Sequence, residues 1–159
     1  MANILNIATI VDMGLEKEKA RRDFYGKVAE TFEGDLMKSL FSNLRDWEDE
    51  HINKFTDIRS KIDEFAPAEI YPGEYEAYMQ SIVGEKLYDE VNAENFAETV
   101  KTPSEAVNWG ISFEKDAVLF FSDLLEYLKG EGQEIIKKLI NEEKKHIVFL
   151  VDLKKKLLE

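Results

Sequence analysis

Residues 47–55 read WEDEHINKF, and residues 141–150 read NEEKKHIVFL. Each stretch places a histidine three residues after a glutamate, His51 after Glu48 and His146 after Glu143. These are the only two histidines among 159 residues, in a chain with 22 glutamates. Residues three apart on an α-helix lie on one face. If both stretches are helical, each therefore offers a carboxylate and an imidazole to a single point.

The surrounding sequence predicts helix throughout. The three prolines, Pro67, Pro72 and Pro103, leave long uninterrupted pieces with apolar residues recurring at helical spacing. A first helix is expected over about 3–32, with Ile4, Ile7, Val11, Leu15, Tyr25, Val28 and Phe32 on its stripe. Glu33–Asp35 break it, with Gly34 suited to a left-handed turn. A second is expected over about 36–65, its stripe carrying Leu40, Leu44, His51, Phe55, Ile58 and Ile62. The stretch APAEIYPGEY marks a connection of about 66–102, with a shorter helix over about 74–92. Thr102 as N-cap, Pro103 at the first helical position and Glu105 in capping-box position start a helix over about 103–129. GEG (130–132) turns the chain into a last helix over about 133–158. Two short turns and one long crossover make two antiparallel hairpins, hence an all-α four-helix bundle in a single domain, 1–159.

The hairpins repeat each other. EKARRDFY (18–25) parallels EKDAVLFF (114–121), and the step from Glu18 to Glu48, 30 positions, nearly equals that from Glu114 to Glu143, 29 positions. With a rise of ~1.5 Å per residue, glutamates placed evenly about a tight turn come level with one another. Glu18, Glu48, Glu114 and Glu143 also fall on the apolar stripes of their helices. Four carboxylates in a core are very costly unless neutralised. The inner faces offer few cations, with Arg22 the main candidate nearby. A pair of divalent ions would balance the four charges, and His51 and His146 would give each a nitrogen. Within each Glu-x-x-His pair, one residue can bridge the ions while the other caps one. Glu16, Glu50 and Glu142 read as boundary residues, Glu142 with the option of supporting a ligand. Tyr25, seven residues after Glu18, can reach a carboxylate of the opposite hairpin.

The bulk composition agrees with this and excludes alternatives. A net charge of −12 argues against nucleic acid and anionic membrane as partners. The absence of cysteine removes disulfides, thiolate zinc sites and cysteine-held iron–sulfur centres. No apolar run reaches the ~18 residues of a membrane span. MANILNIATIVDMG lacks the basic start and cleavage site of a signal peptide, so a cytoplasmic protein is expected.

In these motifs the chain resembles the ferritin-like di-iron carboxylate proteins, whose pattern is two single glutamates plus two Glu-x-x-His pairs. Within that group EKARRDFY, EDEHINKF, EKDAVLFF and EEKKHIVFL look most like rubrerythrin-related proteins. The resemblance implies a ferritin-like bundle with two iron ions held by Glu18, Glu48, His51, Glu114, Glu143 and His146, and Tyr25 supporting a ligand. It further implies a peroxidase reducing hydrogen peroxide or oxygen, and a homodimer. The chain departs from rubrerythrins proper in two respects. It has no cysteine-held rubredoxin domain, so electrons must come from an external donor protein. Ala117 stands where they carry a further glutamate, leaving the four-glutamate, two-histidine set of bacterioferritin. The chain ends 13 residues after His146, without the extra C-terminal helix typical of ferritin cages, which counts against a storage shell.

Three other readings remain open on the residues alone. One is a ferroxidase or iron-handling protein. A second keeps the site but fills it with manganese or zinc, since ligands alone rarely fix the metal. The third is a metal-free helical bundle that works by binding a partner.

Overall fold

The structure, a computed structural model, describes residues 7–62 and 87–158. Helix α1 spans Ile7–Thr31 and α2 spans Asp35–Ser60. Single turns follow at Leu87–Glu90 (α3) and Phe96–Thr99 (α4). Helices α5, Pro103–Leu125, and α6, Gly130–Leu157, complete the fold. No strand occurs among the described residues. α1 packs chiefly on α2 and α5 on α6, and the two hairpins meet through α2 against α6 and α1 against α5.

The turns follow from their residues. Gly34 adopts φ +110°, a conformation that costs glycine least. Thr102 caps α5 by accepting from the Glu105 amide at 3.2 Å. The Glu105 carboxylate reaches back to the Lys101 amide at 2.7 Å, one residue beyond the expected box partner. The second turn lies earlier than GEG predicts: α5 stops at Leu125 and α6 already begins at Gly130. The reason is Leu128, which leaves helical register to bury its side chain in the core. Gly130, at φ +61°, then starts the next helix. Gln133 donates to the carbonyls of Leu125 and Leu128, adding side-chain hydrogen bonds at the end of α5.

Most of the expected crossover helix over 74–92 lies outside the described residues. Its described end stops at Glu90, because Val91 turns inward to full burial and the Asn92 side chain holds a turn with Asn95. Tyr88 covers the bundle, stacked on Phe113 with ring centres 4.6 Å apart.

Among the described residues the core consists of two apolar clusters. The first joins the start of α1 to the end of α2, the end of α5 and the start of α6, with Ile10, Phe55, Phe121 and Leu139 among its members. The second joins the opposite ends, with Phe24, Phe41, Phe113 and Leu150. Between them lies a buried polar layer made of Glu18, Arg21, Glu48, His51, Glu114, Glu143 and His146. Beside that layer Lys17 and Asp116 form an ion pair at 3.0 Å that ties α1 to α5.

Candidate metal centre

The helices bring all six expected residues into this layer, and none is more than 3% exposed. Two groups of four have ligand atoms within 4.8 Å of one another: Glu18, Glu48, His51 and Glu143, and then Glu48, Glu114, Glu143 and His146. Glu48 and Glu143 belong to both.

The division of oxygens explains the sharing. His51 Nδ1 faces Glu48 Oε2 at 3.4 Å and Glu143 Oε1 at 2.6 Å. His146 Nδ1 faces the other oxygen of each, Glu48 Oε1 at 3.5 Å and Glu143 Oε2 at 3.1 Å. The two shared glutamates thus span the centre, one oxygen to each half. Glu18 closes the His51 half, its Oε2 lying 3.7 Å from Nδ1. Glu114 closes the His146 half at 3.3 Å. Glu18 Oε2, Glu48 Oε1 and Glu114 Oε2 are buried and make no hydrogen bond among the described residues. Buried carboxylate oxygens in that condition are strongly disfavoured without a cation, so the donor set fits a pair of metal ions.

Neighbouring side chains orient the donors. Glu142 Oε2 lies 2.5 Å from His51 Nε2, fixing which nitrogen turns inward. The Tyr25 hydroxyl donates to Glu114 Oε1 at 2.6 Å, across the hairpins. The imidazoles stack on each other with centres 5.5 Å apart, and Trp47 stacks on His146 at 5.2 Å. A surface cavity of about 300 Å³, lined by Trp47, Glu50, Glu142, Lys145, His146 and Phe149, reaches His146 from outside.

The buried cation is Arg21, not Arg22. Arg22 lies at the surface with Asp23 and Asp49. Arg21 is 1% exposed, and its Nη2 donates to Glu18 Oε1 and, at 3.3 Å, to Glu48 Oε2. Its Nη1 donates to the Tyr88 hydroxyl at 2.9 Å. Helical spacing from Glu18 admits either arginine. Stepping back ~3.6 residues from the adjacent positions Phe24 and Tyr25 selects Arg21. The Trp47 stack and the role of Tyr88 had no comparable signal, because both depend on how the helices meet.

Burial opposes charge on every glutamate here, and the outcome depends on neighbours. Burial pushes Glu18 up to about 8, with Glu48 and Glu143 adding to the rise against Arg21. Burial and the same two carboxylates push Glu114 well above the usual range. Glu48 and Glu143 resist burial through Arg21 and hydrogen bonds, Glu48 ending well below the usual value and Glu143 at about 2. Both imidazoles are disfavoured as cations by burial, but their carboxylate contacts win. His146 rises to about 12 and His51 is raised as well. Without metal, protons on Glu18, Glu114 and both histidines therefore stand in for the missing positive charge.

The architecture is that of a ferritin-like four-helix bundle. A solved protein from Thermotoga maritima, provisionally described as a ferritin-like diiron-carboxylate protein, is similar over 98% of this chain and 98% of its own, with a TM-score of 0.68 and 24% identity. Likeness at that identity establishes the fold. No protein-family model and no curated protein matches the chain. Among the described residues no helix is long and apolar enough to cross a membrane.

Proposed function

We propose that the chain is a non-haem di-iron protein that reduces hydrogen peroxide or dioxygen with electrons from an external donor. The observation that carries the proposal is the splitting of the Glu48 and Glu143 oxygens between two buried halves, each completed by one further glutamate and one imidazole. The likeness in fold to a protein described as a diiron-carboxylate protein adds support. Glu18, Glu48, His51, Glu114, Glu143 and His146 would hold the ions. Two ferrous ions there would supply the two electrons that, with two protons, convert hydrogen peroxide to two waters.

The chain's own residues contribute the rest. Glu48 and Glu143 keep the halves together, and Tyr25 holds Glu114 in place. The apolar clusters on either side exclude bulk water, which strengthens each electrostatic contact within. The cavity beside Trp47 admits a small oxidant as far as His146. These residues include no cysteine for a thiol or rubredoxin-type relay, and the proposal assigns the electrons to an external donor.

An anaerobic ferrous titration followed by rapid mixing with peroxide or oxygen tests this. Trp47, stacked on His146, gives an optical readout of loading through its fluorescence. Two irons per chain, oxidised at least about tenfold faster by peroxide or turned over with a reductant under oxygen, are expected. Continued oxidation of iron beyond two per chain makes the protein a ferroxidase. Tight binding of manganese or zinc with no ferrous uptake replaces the metal. A chain that takes up none of the three is a structural bundle.

A further inference from the structure

The two halves of the centre are unequal, and Arg21 is the reason. Its Nη2 faces the same two oxygens as His51 Nδ1, lying 3.3 Å from Glu48 Oε2 and 3.6 Å from Glu143 Oε1, and it also bonds Glu18 Oε1. Those three oxygens belong to the Glu18–His51 half. The Glu114–His146 half meets the guanidinium only through Nε, 3.9 Å from Glu114 Oε2. Glu48 Oε1 and Glu143 Oε2, which serve that half, face His146 Nδ1 instead.

Charge sharpens the difference. The guanidinium stays protonated in any protein environment. The Tyr88 hydroxyl holds its far side, so it is built into the layer rather than resting in it. A divalent ion in the Glu114–His146 half takes up oxygens that Arg21 leaves open. One in the Glu18–His51 half must share Glu48 Oε2 and Glu143 Oε1 with a fixed positive charge, in an interior with little water to screen the repulsion. Four carboxylates carry −4 formally. With Arg21 and one divalent ion the sum is −1, and with Arg21 and two ions it is +1.

We propose that Arg21 is a resident cation of the Glu18–His51 half, so that the Glu114–His146 half binds the first divalent ion tightly and the Glu18–His51 half binds the second weakly. Arg21 thereby sets the order and the spacing of the two binding steps. This rests on the reading of the cluster as a two-metal centre.

The test is an anaerobic titration of the metal-stripped protein with cobalt(II), followed by calorimetry and visible absorption, on the wild type, Arg21→Gln and Arg21→Lys. Circular dichroism establishes that each variant keeps its helices. In the wild type the first ion is expected to bind at least about tenfold more tightly than the second. Arg21→Gln closes most of that gap by strengthening the second step. Arg21→Lys, which keeps the charge, retains it, an outcome that a purely space-filling role for Arg21 does not give. Two equal steps in the wild type, or an unchanged gap in Arg21→Gln, overturn the role of Arg21 and leave the two-metal centre standing. One ion in the wild type and two in Arg21→Gln support the inference in its strongest form. Failure of all three proteins to bind cobalt overturns the two-metal reading and this inference with it.

Discussion

At the scale of single residues, the centre depends on which oxygen faces which nitrogen. Glu48 and Glu143 each serve both halves, whereas Glu18 and Glu114 serve one. Substitutions that remove one carboxylate should therefore fall into two classes. Glu114→Gln is expected to lose the ion of the His146 half and keep some binding in the other, leaving about one ion per chain. Glu143→Gln, with an uncharged amide facing both imidazoles, is expected to weaken both, by about 10- to 100-fold or more. Equilibrium dialysis against manganese or cobalt checks this, and equal losses from the two variants would count against bridging by Glu143. The gathering of these six side chains in one layer was legible in the sequence because the Glu-x-x-His step and its repeat are local signals that one helix face expresses. The identity of the buried arginine was less legible. Arg21 and Arg22 are both within one turn of Glu18, and only the register of the whole stripe separates them.

At the scale of elements, the four long helices followed from apolar spacing and from Gly34, Thr102 and Pro103, each of which acts on its immediate neighbours. The turn before α6 departs from the position GEG implies because Leu128 obeys the core rather than local turn chemistry. Gly14 is a similar case, since nothing in its own neighbourhood explains it. A Cβ there would come within 2.6 Å of both Phe55 and Phe120, rings buried in the apolar cluster one turn below Glu18. Gly14 thus sets how closely α1 approaches α2 and α5. Alanine ordinarily stabilises a helix interior by about 0.5–1 kcal/mol relative to glycine. Overpacking rigid aromatic rings costs about 1–3 kcal/mol. Gly14→Ala is therefore expected to lower the melting temperature of the metal-free protein by about 2–8 °C. A rise measured by calorimetry would show that α1 can shift without cost.

At the scale of the molecule, the polar layer divides what would otherwise be one core, and its protons link stability to pH. Glu18 titrates in the folded, metal-free protein at about 8 against an ordinary 4.5, and His146 at about 12 against 6.5. A group raised in this way binds more protons folded than unfolded. Its contribution is complete below the ordinary value and is lost as pH rises towards the folded one. Glu18 therefore loses its share between about pH 4.5 and 8, and His146 begins to lose its share above about 6.5. Glu143, depressed to about 2, acts oppositely, contributing above about 4.5 and failing as pH falls towards 2. From pH 6 to 8 only the raised groups change, and each proton costs at most about 1.4 kcal/mol per pH unit. The metal-free protein is thus expected to melt more than about 5 °C lower at pH 8 than at pH 6. Metal ions displace these protons from the same atoms, so loading should remove the decline and the stabilisation by metal should grow with pH. Calorimetry at pH 6, 7 and 8, with chelator and with excess manganese, measures both slopes. Parallel slopes would mean that the ions do not bind where the protons are, and the buried layer would then be a structural network held by Arg21 and the two imidazoles.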